Sequence, residues 1–99
     1  MTVKVVWLER AVADLQAVRA YVSAHNPAAA RKVASRIRKT VAHLTAHPHL
    51  GRPTDVQDIR EMTVAGLPDL LAYRVREDRI EILRVFHTSQ QRPESWEES

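Results

Sequence analysis

The sequence predicts an α+β domain in which a helical hairpin packs on one face of a mainly antiparallel four-stranded sheet. Residues 70–76 and 80–87 are rich in β-branched and aromatic residues and flank a connection centred on Glu77 and Asp78. Two stretches in the N-terminal half instead repeat apolar residues at helical spacing. Helices followed by strands are typical of α+β domains, so the element order is βααβββ.

Length and composition limit the classes of protein that fit. The chain has 99 residues, which predicts a single domain, placed over residues 1–88 and followed by a polar tail over residues 89–99. It contains no cysteine, which excludes disulfides and cysteine-based metal or redox sites. No apolar run has the length of a signal peptide or a membrane span, so we expect a cytoplasmic protein without membrane contact. A net charge of +3 suits an acidic partner or nucleic acid.

The N-terminal half reads as one strand and two helices. A short strand is predicted over residues 3–7, and a helix over 8–24 whose apolar face consists of Leu8, Ala11, Val12, Leu15, Val18 and Val22. Asn26 is a preferred N-cap and Pro27 suits the first helical position, so a second helix should cover 27–46. Its apolar face consists of Ala30, Val33, Ala34, Ile37, Val41 and Leu44. The short link predicts an antiparallel hairpin.

The remaining strands are predicted over residues 59–64, 70–76 and 80–87, after an irregular stretch at 50–58. The last strand carries apolar residues in both alternation phases, which predicts a position inside the sheet. Strict alternation puts Ile80, Ile82, Arg84 and Phe86 on one face, and Glu81, Leu83, Val85 and His87 on the other. Arg84 and His87 are therefore expected on opposite faces unless a bulge or the strand end rotates one of them.

The second helix has an unbalanced charge. No acidic residue occurs from Pro27 to Thr54, whereas basic residues occur at Arg31, Lys32, Arg36, Arg38, Lys39 and Arg52. The five on the helix project away from the row of Ile37. One interpretation is a surface that binds phosphates or an acidic segment of another protein. The other is an ordinary solvated helix face.

Four strand residues are also arginines. For Arg74 and Arg76, pairing with nearby glutamates across the sheet is the favoured interpretation. Arg60 and Arg84 are in phase with apolar neighbours. For these two residues, binding of phosphate or a partner and a structural ion pair are equally favoured interpretations.

Histidines provide the remaining candidate chemistry. His87 ends the last strand and has the ordinary pKa of a general acid or base, although such a histidine is more often only hydrogen-bonded. His43 and His47 are four residues apart on a helix, but no cysteine or carboxylate lies near them in sequence. We therefore expect no metal and no cofactor.

An ordered set of residues resembles the RelE/ParE superfamily of toxins from bacterial type II toxin–antitoxin systems. The resemblance spans about residues 3 to 93. The set comprises Ala11, Asp14 and Leu15, Asn26-Pro27, Gly51-Arg52-Pro53, Arg60-Glu61, Ala72-Tyr73-Arg74-Val75, Ile82 to His87, and Gln90 and Gln91.

The superfamily implies two alternative activities. RelE-like members cleave mRNA in the ribosomal A site with basic side chains and often a C-terminal tyrosine, whereas ParE-like members poison DNA gyrase. This chain departs from the RelE pattern at residues 70–71, where leucines replace an arginine, and at 88–89, where Thr-Ser replaces a basic pair. Its only tyrosines are Tyr21 and Tyr73. The resemblance is therefore closer to ParE, and it implies a gyrase inhibitor that stops growth and serves in plasmid stabilisation.

Two further functions remain open at this stage. In a ribosome-dependent endoribonuclease, His87 would be the acid or base while Arg60 and Arg84 bind the scissile phosphate. In a non-toxic homologue, the fold would serve only to form the complex.

The resemblance also implies a cognate antitoxin as partner, and a toxin homodimer within the complex. The target that the resemblance implies is DNA gyrase, or alternatively the ribosome and mRNA. The residues predicted to contact partners are Arg31, Arg38, Arg60, Arg84, His87 and Trp96.

Overall fold

A computed structural model describes residues 3–67 and 69–87, except for the side chain of His87. The helices are α1 (Glu9–His25) and α2 (Pro27–Ala46), and the strands are β1 (Lys4–Trp7), β2 (Arg52–Pro53), β3 (Ile59–Thr63), β4 (Asp69–Arg76) and β5 (Arg79–His87). The fold class is confirmed. The predicted tail at 89–99, with Trp96, lies outside the described residues.

The sheet has the order β1-β5-β4-β3-β2. β1 runs parallel to β5, and the other three pairs are antiparallel. β5 thus lies inside the sheet, as its apolar residues on both faces predicted. The four-strand prediction missed β2, which pairs Arg52 with Glu61 and Pro53 with Arg60. Two residues are too short for a periodic signal, and proline is tolerated only because this strand is at the edge.

The two helices form the predicted hairpin. The side chain of Asn26 accepts a hydrogen bond from the backbone N–H of Ala29 at 3.2 Å, and Pro27 follows as the first helical residue. The same Asn26 ends α1, because its backbone N–H bonds to the carbonyl of Val22. A single residue therefore separates the helices, which must turn back on each other.

The main core lies between the helices and the sheet. Its buried members are Ala11, Val33, Ile37, Leu44, Val64, Leu71, Tyr73, Ile80, Ile82 and Val85. The predicted apolar row of α2 supplies three of them. In α1 only Ala11 is buried, while Leu15, Val18 and Val22 pack against the core partly exposed.

A second cluster of buried residues consists of Leu8, Ile59, Leu70, Ala72, Leu83 and Phe86. Alternation along β4 places Leu70 and Ala72 on the face opposite to Leu71 and Tyr73. Leu8 was predicted on the core face of the first helix, but it precedes α1 in extended conformation and joins this second cluster.

A β-bulge corrects the predicted phase of β5. Tyr73 pairs with Ile82 and Ala72 pairs with Arg84, so Leu83 is an extra residue in the ladder. Beyond it the alternation is shifted, and strict alternation was wrong for the end of the strand. Val85 joins the main core, whereas Phe86 joins the second cluster.

Neither helix could cross a membrane, since within the described ranges no helical stretch combines the required length with enough apolar character.

Ile37→Asp should strongly destabilise the domain. The Ile37 side chain is 1% exposed in the helix–sheet layer, where a carboxylate would be buried without a partner. We expect a loss of at least about 3 kcal/mol in the free energy of unfolding. Lys39→Asp, at an exposed position of the same helix, is the matched control. Equal melting temperatures for the two variants would refute the packing.

Candidate functional site

Arg84 is fixed by an ion pair with Asp14 of α1. Its Nε donates to Oδ2 of Asp14 at 2.7 Å and its Nη2 donates to Oδ1 at 3.2 Å. This two-bond pairing raises the pKa of Arg84, an effect that its partial burial opposes. Of the two interpretations left open by the sequence, the contacts correspond to a structural ion pair.

The same carboxylate also satisfies the backbone of β5. Oδ2 of Asp14 accepts a hydrogen bond from the N–H of Val85 at 2.9 Å. β1 pairs with β5 only as far as Ile82, so Val85 lies beyond the last residue of that ladder. Asp14 therefore joins α1 to β5 at the bulge through both a side chain and the backbone.

Arg60 is held by the loop that follows α2. Its Nη1 donates to the carbonyl of Gly51 at 2.8 Å and to that of His49 at 3.3 Å. This loop is fastened to the sheet by Tyr73 as well, whose hydroxyl donates to the carbonyl of Pro48 at 2.9 Å and accepts from the N–H of Gly51 at 2.8 Å. Arg60 and Tyr73 thus fix one loop from two adjacent strands.

The environment of Tyr73 fits a structural hydroxyl. Burial raises its pKa, whereas the hydrogen bond from Gly51 and the charge of Arg60 act in the opposite direction. A Cβ at position 51 would lie 2.5 Å from the Tyr73 hydroxyl oxygen and 2.9 Å from the carbonyl oxygen of Glu61. Glycine is therefore required at the start of the Gly51-Arg52-Pro53 segment.

The predicted pairing of the β4 arginines is confirmed. Arg74 donates to the buried carboxylate of Glu81, and Arg76 lies 3.6 Å from it. Arg79 donates to the other oxygen of Glu81 at 3.0 Å. Burial alone would raise the pKa of Glu81, but the hydrogen bonds and charges of Arg74 and Arg79 outweigh it and lower the pKa.

The candidate nuclease residues contact different parts of the chain. Arg60 contacts the loop after α2, while Arg84 contacts α1. The backbone of His87 ends β5, opposite Asp69. Within residues 3–67 and 69–87, no group of three or more histidine, aspartate or glutamate side chains has the geometry of a metal site.

Part of the basic surface lines a groove between the two helices. Arg31 and Arg38 line it together with Arg19 of α1. The predicted basic face of the second helix is therefore divided, because Arg36 instead donates to the carbonyl of Ala65 at 3.3 Å. Sequence reasoning missed Arg19 because its helix was considered alone. The signal available was its position away from the apolar row of that helix.

Comparison with known proteins identifies the family. Residues 5–92 match the family model described as the ParE toxin of the type II toxin–antitoxin system, parDE. The chain belongs to the ParE toxin family. The resemblance to the RelE/ParE superfamily that the sequence showed is thereby confirmed.

Named relatives agree with this family. The chain is 38% identical to Y4kP of Sinorhizobium fredii, a candidate toxin by name, over 89% of this chain and 91% of Y4kP. It is 34% identical to toxin RelE2 of Caulobacter vibrioides, over 87% and 96% of the two chains. A solved structure described as "Chromosomal ParDE TA system from P. aeruginosa" contains a chain with a TM-score of 0.77 and 29% identity, covering 87% and 96%.

Asp14→Asn should weaken the hydrogen-bonded contact between α1 and β5 and so destabilise the domain. The variant keeps the size of the side chain but loses its charge and one acceptor for Arg84. We expect a loss of about 1.5–3 kcal/mol in the free energy of unfolding, measured by urea denaturation. Glu9→Gln, at an exposed position of α1, is the control. A double-mutant cycle with Arg84→Gln should give a coupling energy, and additive effects would contradict the ion pair's role.

Glu81→Gln should change the acid stability of the ParE-family domain. Since the folded pKa lies below the unfolded value of about 4.3, the carboxylate stabilises the fold above that pH. This contribution is lost as the pH falls through the folded pKa. The stability gap between wild type and variant should therefore be widest near neutrality and close in acid, as measured by urea denaturation at several pH values. Glu77→Gln, which is exposed, should show no such gap. A pH-independent gap for Glu81→Gln would contradict the assignment.

Proposed function

We propose that this protein is a ParE-like toxin that inhibits DNA gyrase in the cytoplasm and is neutralised by a cognate antitoxin. The observation that carries the proposal is the pairing of Arg84 with Asp14 in a member of the ParE family. The nuclease alternative requires that guanidinium to stabilise charge on a phosphate. Here two of its nitrogens already bind a carboxylate at 2.7 and 3.2 Å.

Arg60, the other candidate cation, also argues against the nuclease alternative. Cleavage of RNA by a ribose hydroxyl needs a base together with preorganised positive charge at the phosphate. Arg60 uses Nη1 for the loop carbonyls of His49 and Gly51, and freeing it would also release that loop. Tyr73 is fully buried and holds the same loop. Inhibition by binding makes no such demand, because it requires only an accessible surface.

The antitoxin partner follows from the family. The matched family model names a toxin–antitoxin system, and the similar chain from P. aeruginosa comes from one. The excess of basic over acidic residues in this protein suits an acidic antitoxin segment.

The target is tested with two parallel assays on purified toxin. In a gyrase supercoiling and DNA-cleavage assay, we expect loss of supercoiling and accumulation of cleaved DNA, because a bound toxin traps the cleavage complex. In a translation reaction, mapping of mRNA 5′ ends should show no new cuts. Ile37→Asp, which should disrupt the fold, is the negative control and should leave gyrase active.

The reverse result would establish the enzymatic alternative. Codon-phased mRNA cuts with normal supercoiling would overturn the gyrase proposal, and His87→Ala would then be expected to abolish cleavage. Inactivity in both assays, with a folded protein, would instead support a non-toxic complex-forming homologue.

Neutralisation is tested separately by adding the purified product of the small gene beside the toxin gene. That protein should bind the toxin and restore supercoiling. A folded toxin that does not bind it would exclude this pairing.

A further inference from the structure

Three positively charged side chains form a row across the sheet, on the face opposite to the helices. Arg76 of β4 lies directly opposite Arg79 of β5, and Arg79 pairs in turn with Lys4 of β1. Residues that pair in register share one face of a sheet. Arg76 has the same alternation phase as Ala72, which belongs to the second buried cluster. This cationic row is therefore separate from the helical hairpin and its groove.

The cationic row costs the sheet stability. Like charges directly opposite each other on neighbouring strands are destabilising. Neighbouring strands are about 4.8 Å apart, so the three charges lie within about 10 Å. The backbone N–H of Lys4 donates to the carbonyl of Asp78 at 3.2 Å, which holds Lys4 beside Arg79. Stability alone would favour an acidic residue at one of the three positions, and a local conflict of this kind is typical of functional sites.

A buried carboxylate holds the arginines in place without neutralising them. Glu81 accepts hydrogen bonds from Nε of Arg74 and from Nε of Arg79, the latter at 3.0 Å. Nε of Arg76 lies 3.6 Å from the same carboxylate. One negative charge thus faces three guanidinium groups, so the cluster keeps an excess of positive charge.

The acids of the neighbouring turn reduce this excess only in part. Oδ1 of Asp78 lies 3.6 Å from Nη1 of Arg79, and Glu77 is exposed. The Lys4 side chain is exposed and forms no hydrogen bond or ion pair with any residue in the ranges 3–67 and 69–87. The end of the row at Lys4 is therefore available to an external anion.

The backbone of duplex DNA complements such a row. The side chains of Arg76 and Arg79 are 45% and 42% exposed, so that solvent reaches both. DNA carries one negative charge per about 1.7 Å of duplex, so a row about 10 Å long faces several phosphates. A protein strand would present carboxylates on one face only at every second residue, about 6.8 Å apart. The uninterrupted charge of DNA is the better match for three adjacent cations.

We propose that the cationic row binds the phosphate backbone of the DNA that gyrase holds in the cleavage complex. The inference rests on the function proposed above and adds to it a direct contact between toxin and DNA. The toxin then bridges the enzyme and its substrate. It should therefore bind gyrase with DNA more tightly than gyrase without DNA.

The second helix provides a matched control for the cationic row. Lys32 and Lys39 are exposed on α2, whereas Lys4 and Arg76 are exposed on the sheet. Lys4→Gln with Arg76→Gln, the row variant, removes two positive charges. Lys32→Gln with Lys39→Gln, the helix variant, removes the same number. A difference between the two double variants reports position and not overall charge.

Direct binding is measured by fluorescence anisotropy with a labelled DNA duplex at several salt concentrations. The row variant should bind at least about tenfold more weakly than wild type, and the slope of log affinity against log salt should fall by about two, because each phosphate contact releases counterions. The helix variant should differ from wild type by less than about threefold.

The contact is then tested in the gyrase cleavage assay. Half-maximal accumulation of cleaved DNA should require at least about tenfold more of the row variant than of wild-type toxin. Titration calorimetry with DNA-free gyrase should give equal affinities for the two proteins, because the row contacts DNA and not the enzyme.

Circular dichroism melts separate binding from folding. Lys4→Gln should keep or raise the melting temperature, since it removes a positive charge beside Arg79 and breaks no side-chain contact with the described residues. A lower melting temperature would assign Lys4 a structural role and contradict the proposal.

The remaining outcomes distinguish this inference from the function on which it rests. Equal cleavage and an equal salt slope for the row variant and wild type would overturn the DNA contact and leave the proposed function intact. A wild-type toxin that does not inhibit gyrase would overturn both. A row variant that loses affinity for DNA-free gyrase to the same extent would show that the row contacts protein, which refutes DNA as its ligand.

Discussion

The carboxylate of Asp14 determines where the helical hairpin sits on the sheet. It accepts hydrogen bonds from the Arg84 side chain and from the N–H of Val85, 70 and 71 positions further along the chain. Burial of apolar surface brings α1 to the sheet but does not choose its position, because that force has no direction. The paired hydrogen bonds do, since they require a fixed angle and distance. They also stabilise the bulge that shifts the alternation of β5.

A second attachment holds the hairpin where the chain leaves α2. Tyr73 donates a hydrogen bond to the carbonyl of Pro48, and Arg60 donates to the carbonyls of His49 and Gly51. Because Tyr73 occupies the space that a side chain at position 51 would need, the loop can approach the sheet only with glycine there. Both helices are thus attached to the sheet, and the polar side chains that attach them are engaged within the fold. The outer face of the hairpin, with its arginine-lined groove, remains available for recognition.

Sequence patterns were sufficient for the local features and insufficient for the distant ones. Asn26-Pro27 marked the helix junction to the residue, and the turn at Glu77 and Asp78 was found because short-range patterns determine both. Asp14 gave no such signal, since its partner lies 70 positions away and periodicity describes only neighbours. A bulge near the end of β5 was left open, but its position at Leu83 could not be predicted, because an extra residue is defined by the facing strand. The basic residues of α2 were visible, but only the packing of α1 showed which of them share a groove with Arg19.

The parallel pairing of β1 with β5 has a consequence for the order of events during synthesis. The first strand of the sheet finds its neighbour only after the last strand has been made, and Asp14 likewise waits for Arg84. At translation rates of about 5–20 residues per second, a gap of 70 residues corresponds to about 4 to 14 s. During this interval the nascent helices lack β5, the strand on which α1 packs. A chain interrupted before β5 would lack both its parallel neighbour and its anchor, so an aborted translation product could not assume the toxin's shape.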